Sequence, residues 1–281
     1  MKFLALENRA LVSIGGPDAE HLLQDVITCG VEDLPVGVAR PGALLTPQGK
    51  IMFAFLLSRD GADRFLFDMT SDQSEGFVRR MTMYRLRAKA DIAPITDRRV
   101  QAAWECEAEP GFLRDDRFRD GNEVFRFYGP EKDVSATQED YDRLRIESGV
   151  AEAEADYALS DAFPHDVLMD LNEGVSFSKG CFVGQEVVSR MKHRGTARRR
   201  VVILDSDIAL PESGTALMLA GRSIGTVGTV AGNKALAIAR IDRIAASIAS
   251  EQPLLAGDVA VTATLPAWTG LKLDAVSAKE S

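Results

Sequence analysis

Short apolar runs closed by turn residues dominate the first third of the chain. Residues 10–14 (Ala-Leu-Val-Ser-Ile) read as a strand stopped by Gly15-Gly16. Pro17 then opens a helix, with Asp18 and Glu20 in its first turn where acids suit the dipole. Leu22, Leu23, Val26 and Ile27 give that helix one apolar face, and His21 beside it is expected to be a solvated helical residue. Strands at 43–46, 51–57 and 65–67 are separated by the turns Pro47-Gln48-Gly49 and Arg59-Asp60-Gly61. This is the pattern of an antiparallel meander, not the strand–helix alternation of a doubly wound sheet.

A helix is expected over 72–89, with Phe77, Met81, Tyr84 and Leu86 facing the core. Arg79, Arg80, Arg85, Arg87 and Lys89 make it basic, which a solvated face explains. Further strands fall at 91–95, 100–104 and 123–128, with an acidic loop over 105–120. Residues 140–149 form a helix that ends at Gly149, and Pro164-His165-Asp166 opens a short helical segment in which His165 is structural. Residues 185–191 have no breaker and form another helix. After Arg200 come short strands at 201–204, 216–219, 223–230, 235–241 and 258–264 between glycine turns, the grammar of a small barrel or sandwich. From Asp274 the residues read as disordered. The expected class is α+β, with a first region at 1–198 and a β-domain at 199–281.

Composition narrows the function. At 281 residues with 46% hydrophobic content there is material for a sizeable core. A net charge of −9 argues against a general nucleic-acid binder, because phosphate contact needs surplus Lys and Arg. The first residues carry too short an apolar run for a signal peptide, and no window reaches a membrane span. Cysteines at 29, 106 and 181 are odd in number and scattered, which suits a reducing compartment: cytoplasm, or mitochondrial matrix in a eukaryote. No metal-ligand spacing and no glycine-rich nucleotide cradle occurs. Cys29 reads as a core residue, and the acids around Cys106 discourage a thiolate.

Candidate chemistry concentrates in Lys179-Gly180-Cys181-Phe182-Val183-Gly184-Gln185-Glu186. Both glycines can take backbone angles closed to other residues. Cys181 stands ahead of a helix N-terminus and two residues from an ammonium, and both features favour a thiolate. An inert packed cysteine in a glycine turn is the alternative. Downstream, Arg190, Lys192, His193, Arg194, Arg198, Arg199 and Arg200 form a basic cluster, either a solvated linker or a site for carboxylates.

The stretch resembles the K-G-C-[YF]-x-G-Q-E signature of YgfZ-type folate-binding proteins of iron–sulfur cluster assembly and repair, relatives of the glycine-cleavage T-protein, an aminomethyltransferase. All eight positions fit, and the likeness runs upstream through Leu171-Asn172-Glu173-Gly174-Val175-Ser176-Phe177 and downstream to Arg190 and Arg194-Gly195. The resemblance implies a three-part, ring-like architecture, with two interleaved subdomains within 1–198, a C-terminal barrel and a central site for tetrahydrofolate or a one-carbon derivative. It implies that Cys181, Lys179, Gln185 and Glu186 carry the chemistry, with Lys179 lowering the thiol pKa. Residues 140–150 resemble the R-x-x-x-G-[IV] segment of the same superfamily, in which Glu147 matches the carboxylate that holds the pterin ring. Tyr141 matches an aromatic lining position, Arg9 stands where some members carry an aromatic residue, and Arg190 joins the folate-binding set. The T-protein's Asn-Ala-x-Asn segment corresponds to Phe67-Asp68-Met69-Thr70-Ser71-Asp72, which lacks both asparagines; Asp68 or Asp72 could stand in for its essential acid.

Three functions follow from the resemblance. The first is a folate-binding accessory factor for iron–sulfur clients or assembly proteins. The second is a folate-dependent one-carbon transferase. The third is a non-catalytic folate-binding scaffold.

Overall fold

A computed structural model describes residues 1–273; the stretch expected to be disordered from Asp274 lies outside them. The described residues form two compact units, Met1–Thr137 with Met169–Ser189, and Gln138–Leu168 with the chain from Arg190 onward.

The first unit runs β1 (Lys2–Ala5), β2 (Arg9–Gly15), α1 (Ala19–Val26), β3 (Val38–Leu45), β4 (Ile51–Arg59), β5 (Arg64–Thr70), α2 (Ser71–Arg85), β6 (Asp91–Ile95), β7 (Arg99–Trp104), β8 (Phe112–Asp115) and β9 (Val124–Gly129). These strands share one sheet in the order β1-β7-β9-β8-β3-β4-β5-β2-β6 among the described residues. The expected meander is its right half: β3 pairs antiparallel with β4, β4 with β5, β5 with β2. Among the described strands of this sheet only β3 and β8 run parallel, through Val38 opposite Arg114 and Ala39 opposite Asp115. Every residue of β3 is buried, as in a strand covered on both faces. Leu22, Leu23 and Val26 of α1 and Phe77 and Met81 of α2 seal the core with Phe55, Phe65 and Phe67.

Two expectations give way to the structure in this unit. Strand β8 lies inside the stretch read as an acidic loop, because its inward Asp115 is buried as the partner of Arg117 and Arg126. Hydropathy alone cannot show an ion pair. Helix α2 stops at Arg85, not 89, and Leu86, expected in the core, is 88% exposed at φ +44°. The chain turns there because the backbone N–H of Lys89 donates to Asp18 Oδ2 at 2.7 Å and its carbonyl accepts from Asp18 N at 3.3 Å. The N-terminal apolar run forms β1, which pairs with β7.

The second unit contains α3 (Gln138–Ser148), most of the basic end of α4 (Gln185–Arg194), β10 (Arg199–Asp205), β11 (Ala216–Leu219), β12 (Arg222–Ala231), β13 (Lys234–Arg240), α5 (Ile241–Ser250), β14 (Leu254–Ala256) and β15 (Val259–Thr264). Its strands close into a barrel in the order β10-β13-β12-β11-β14-β15. Leu204, Leu217, Val227, Leu236 and Ala237 are among the buried side chains of this unit. Ile241, read as the end of a strand, instead starts α5, whose Ile241, Ile244 and Ala245 fall on one buried face. The segment after Pro164 is a run of turns, not a helix; Asp166 bonds back to Phe163, and Leu168 takes φ +64°. His165 within it is buried.

Candidate functional site

The signature folds as a loop leading into α4, and its supports come from distant chain. Thr28 holds the entry: its hydroxyl donates to the Gly174 carbonyl at 2.6 Å, and its own carbonyl accepts from Ser176 N at 2.8 Å. Just before, Glu173 takes φ +65° and bridges two arginines, Arg40 at 3.3 Å and Arg119 at 3.2 Å. Arg119 also donates to the Asn172 carbonyl at 3.4 Å.

Lys179 pins the middle. Its ammonium donates to the carbonyls of Ile27 at 2.6 Å and Cys29 at 3.0 Å, and lies 5.4 Å from the Phe182 ring centre. Desolvation brings its pKa down to about 8, against the opposing field of the Cys29 sulfur and of Asp25 and Asp33. The expectation gave this lysine to the Cys181 thiol. Its bonds go instead to the loop after α1, and the sulfur it couples to is that of Cys29. That thiol is fully buried, and desolvation pushes it up to about 11 despite Lys179 and Arg40. Cys29 is therefore a core residue, as expected. Cys106 is also raised, by burial first and then by Glu109 and Glu123 against the N-terminal charge.

The end of the loop is set by glycine. Gly184 has φ +79°, and a Cβ there would stand 2.6 Å from the Thr46 carbonyl at the tip of the β3–β4 hairpin. Gly49 in that tip has φ +80° and would press its Cβ against Val187 at 2.9 Å. The two backbones meet because neither carries a side chain. Gly180 differs: its φ is not in the left-handed region, and a Cβ there would meet nothing within 4 Å. The expectation that both glycines take special angles holds only for Gly184.

Between these supports Phe182 is buried and Cys181 is exposed. Gln185 is half-buried at the start of α4, its N–H donating to the Phe182 carbonyl at 3.2 Å, and Glu186 is exposed in the first turn. The arrangement presents a thiol to solvent on a loop tied down at its entry by Thr28, in its middle by Lys179 and at its end by Gly184.

The folate-type residues fall elsewhere. In α3, Tyr141 is fully buried, its hydroxyl 3.4 Å from Glu152 Oε1. Beside it the buried Arg145 donates to Asp156 at 2.8 Å, Asp142 at 2.8 Å, Thr229 at 2.9 Å and the Val150 carbonyl at 3.0 Å. Burial opposes that charge, but Glu152, Asp156 and Asp142 outweigh it and hold the guanidinium protonated. Glu147 lies on the outer side of α3, exposed, with Lys234 at 3.6 Å. The helix end behind it is clamped: Trp268 Nε1 donates to the Ser148 carbonyl at 2.9 Å, and Gly149, at φ +69°, leaves room for Pro266. Arg190 is exposed on α4.

Arg9 is committed in the first unit. It donates through Nε to Asp68 Oδ1 at 2.6 Å and through Nη2 to the Asp68 carbonyl at 2.9 Å. Tyr128 donates to the other Asp68 oxygen at 3.2 Å, and Arg126 Nε lies 3.6 Å from it. Burial and the Asp68 charge hold the Tyr128 phenol well above its usual range. Arg126, Asp115 and Tyr128 escaped the sequence reading. The available signal was one charged residue inside each apolar strand, Asp68 in β5 and Arg126 in β9, since a charge survives there only with a partner. Asp72, the other candidate acid, is exposed in the first turn of α2. Among the described residues no three His, Cys, Asp or Glu side chains converge to hold a metal, and no helix is long and apolar enough to cross a membrane.

Comparison with known proteins places this geometry. Residues 198–271 match the family model described as the CAF17 C-terminal beta-barrel domain. The iron–sulfur cluster assembly factor IBA57, mitochondrial, of Mus musculus is 27% identical over 94% of this chain and 84% of its own length. The human protein of that name is 26% identical over the same shares. The homologue from Pyricularia oryzae, also named as mitochondrial, is 30% identical over 75% of this chain, and the match spans 59% of that relative's length. These relatives carry the IBA57 name, not that of the YgfZ-type proteins. The fold is that of the glycine cleavage system aminomethyltransferase T from Bartonella henselae, with a TM-score of 0.71 at 16% identity over 94% of this chain and 85% of that one.

Proposed function

We propose that this chain is a member of the IBA57 family and an accessory factor in iron–sulfur cluster assembly or repair, with Cys181 as its working thiol. The observation that carries the reading is the contrast within one signature: Cys181 is exposed while Thr28, Lys179 and Gly184 fix the loop around it. An exposed thiol on a fixed loop suits a transient ligand to a cluster in transit, because a thiolate must reach the cargo and then release it. Gln185 and Glu186, at the start of α4, would orient the loop and exchange protons. The clients are iron–sulfur assembly or recipient proteins. The compartment is a reducing one, the cytoplasm or, in a eukaryote, the mitochondrial matrix, the latter in keeping with relatives named as mitochondrial.

Folate binding is the second part of the proposal. A pterin presents adjacent N–H donors, and a carboxylate can accept both. Glu147 is exposed and fits that task; Arg190, also exposed, fits a carboxylate of the glutamate tail. Tyr141 and Arg9 are occupied within the fold, so the aromatic wall would have to come from other side chains. Bound tetrahydrofolate would supply a one-carbon carrier. The transferase alternative is weaker, since the one buried candidate acid, Asp68, is already ringed by Arg9, Tyr128 and Arg126.

Complementation tests the first part. In cells lacking this protein, wild type should restore cluster-dependent enzyme activity and Cys181→Ala should not; full rescue by Cys181→Ala ends the thiol role. Calorimetric titration with reduced folates tests the second: binding should be present in wild type and weakened in Glu147→Ala. Equal binding by both would remove Glu147 from the site.

A further inference from the structure

Residues 79–89 hold five cations, Arg79, Arg80, Arg85, Arg87 and Lys89, and no carboxylate, in a chain whose net charge is −9. Arg79 is paired with Glu75 at 2.7 Å, and Arg85 donates to the Ala90 carbonyl at 3.2 Å. Arg80, Arg87 and Lys89 have no ion pair among the described residues, and Arg87 and Lys89 are exposed. One of the five cations has a carboxylate partner, Arg79 with Glu75, and the three at Arg80, Arg87 and Lys89 are left for another surface.

Two apolar side chains stand among these cations. Met83 in α2 is 61% exposed and Leu86, in the turn after it, 88% exposed, although the helix buries Phe77 and Met81 completely. Leu86 also sits at φ +44°, where a glycine would relieve the backbone. A leucine held there contributes no packing to its own fold, and strain of this kind persists where a site uses it. The segment is nevertheless firmly fixed. Asp18 bonds both the N–H and the carbonyl of Lys89, and Ala88 N donates to the Arg85 carbonyl at 2.7 Å. The surface is thus preformed, which limits the ordering cost of binding.

We propose that the end of α2 and the turn after it form a docking surface for a carboxylate-rich patch on a partner protein, with Leu86 as the apolar anchor and Arg80, Arg87 and Lys89 as the charged rim. Charge complementarity selects the partner class. A membrane surface fits less well, because Phe77 and Met81 of α2 are already in the core and only Met83 and Leu86 remain to insert. Nucleic acid fits less well, because the one aromatic ring within residues 79–89, Tyr84, is half-buried and packed against the core. The inference is independent of the chemistry assigned to Cys181.

The test uses the full chain and two labelled synthetic peptides: a helical peptide with leucines flanked by glutamates, and polyglutamate of equal length. Fluorescence anisotropy should show the leucine-containing peptide binding about tenfold more tightly than polyglutamate, as an anchored interface requires. Leu86→Gly should keep or raise the melting temperature and lose that tenfold preference, whereas a misfolded variant would lose stability as well. The double variant Arg87→Glu, Lys89→Glu should lose binding to both peptides. Equal binding of the two peptides by wild type, or an unchanged preference in Leu86→Gly, overturns the proposal. So does tighter binding to phosphatidylglycerol vesicles or single-stranded RNA than to the leucine-containing peptide.

Discussion

In the signature loop the anchoring groups are turned inward and the sulfur of Cys181 is turned out. In α3 the order is reversed: the motif's aromatic residue, Tyr141, is sealed with Arg145, Glu152 and Asp156, and the carboxylate of Glu147 is left at the surface. Both segments match family patterns, yet the residue that looked most chemical in each has a different fate. Lys179, two residues before the cysteine in sequence, is a structural pin. Arg145, the arginine of the R-x-x-x-G-[IV] match to which no role was given, bonds Asp156, Asp142, Thr229 and the Val150 carbonyl. Position in a motif says which residues belong together; it does not say which of them faces the ligand.

The largest effect should come from α3. Replacing Arg145 with Met strands the buried carboxylates of Asp156 and Glu152, and breaking such a cluster from one side costs about 3–5 kcal/mol. Urea denaturation should show that loss; a cost near zero would mean the cluster is open to water and the contrast between the two segments is false. Glu147→Ala on the same helix removes only a surface pair with Lys234 and should cost less than about 1 kcal/mol.

Next is Gly184→Ala. The new Cβ meets the Thr46 carbonyl at a backbone angle alanine resists, and the expected loss is about 1–3 kcal/mol. The alkylation rate of Cys181 should change with it, since the loop must shift. An unchanged rate would show that the hairpin tip does not set the thiol.

Lys179 gives a pH-dependent test. Its folded pKa of about 8 lies below the ordinary 10.5, so the unfolded chain binds the extra proton between those values. Its favourable contribution is therefore complete above about pH 10.5 and is lost as pH falls through 8. Compared with Lys179→Met, wild type should gain stability as pH rises across that window and show a flat difference below it. A flat difference throughout would place the ammonium in water. The smallest effect is expected from Gly180→Ala, where open space limits the change to about 0.5 kcal/mol and leaves the Cys181 alkylation rate as in wild type.

Much of the fold was legible in the chain. The meander β3–β4–β5, helix α1 with Leu22, Leu23 and Val26 inward, and the succession of barrel strands all followed from spacing and turn residues. What failed had a common cause. Strand β8 was hidden because its inward residue is a carboxylate, Leu86 was placed in the core because nothing local announces the Asp18 contact that turns the chain, and α5 was hidden by the strands around it.

The sequence by itself determined the periodic elements, the glycine-punctuated signature and the acidic balance, because these depend on residues a few positions apart. Only the tertiary structure decided that Cys181 points out while Lys179 points in. That choice rests on Thr28 meeting Gly174 across 146 residues and on Lys179 meeting Ile27 across 152. A side chain faces the ligand or the core according to which distant backbone has already satisfied its neighbours, and no local pattern carries that information.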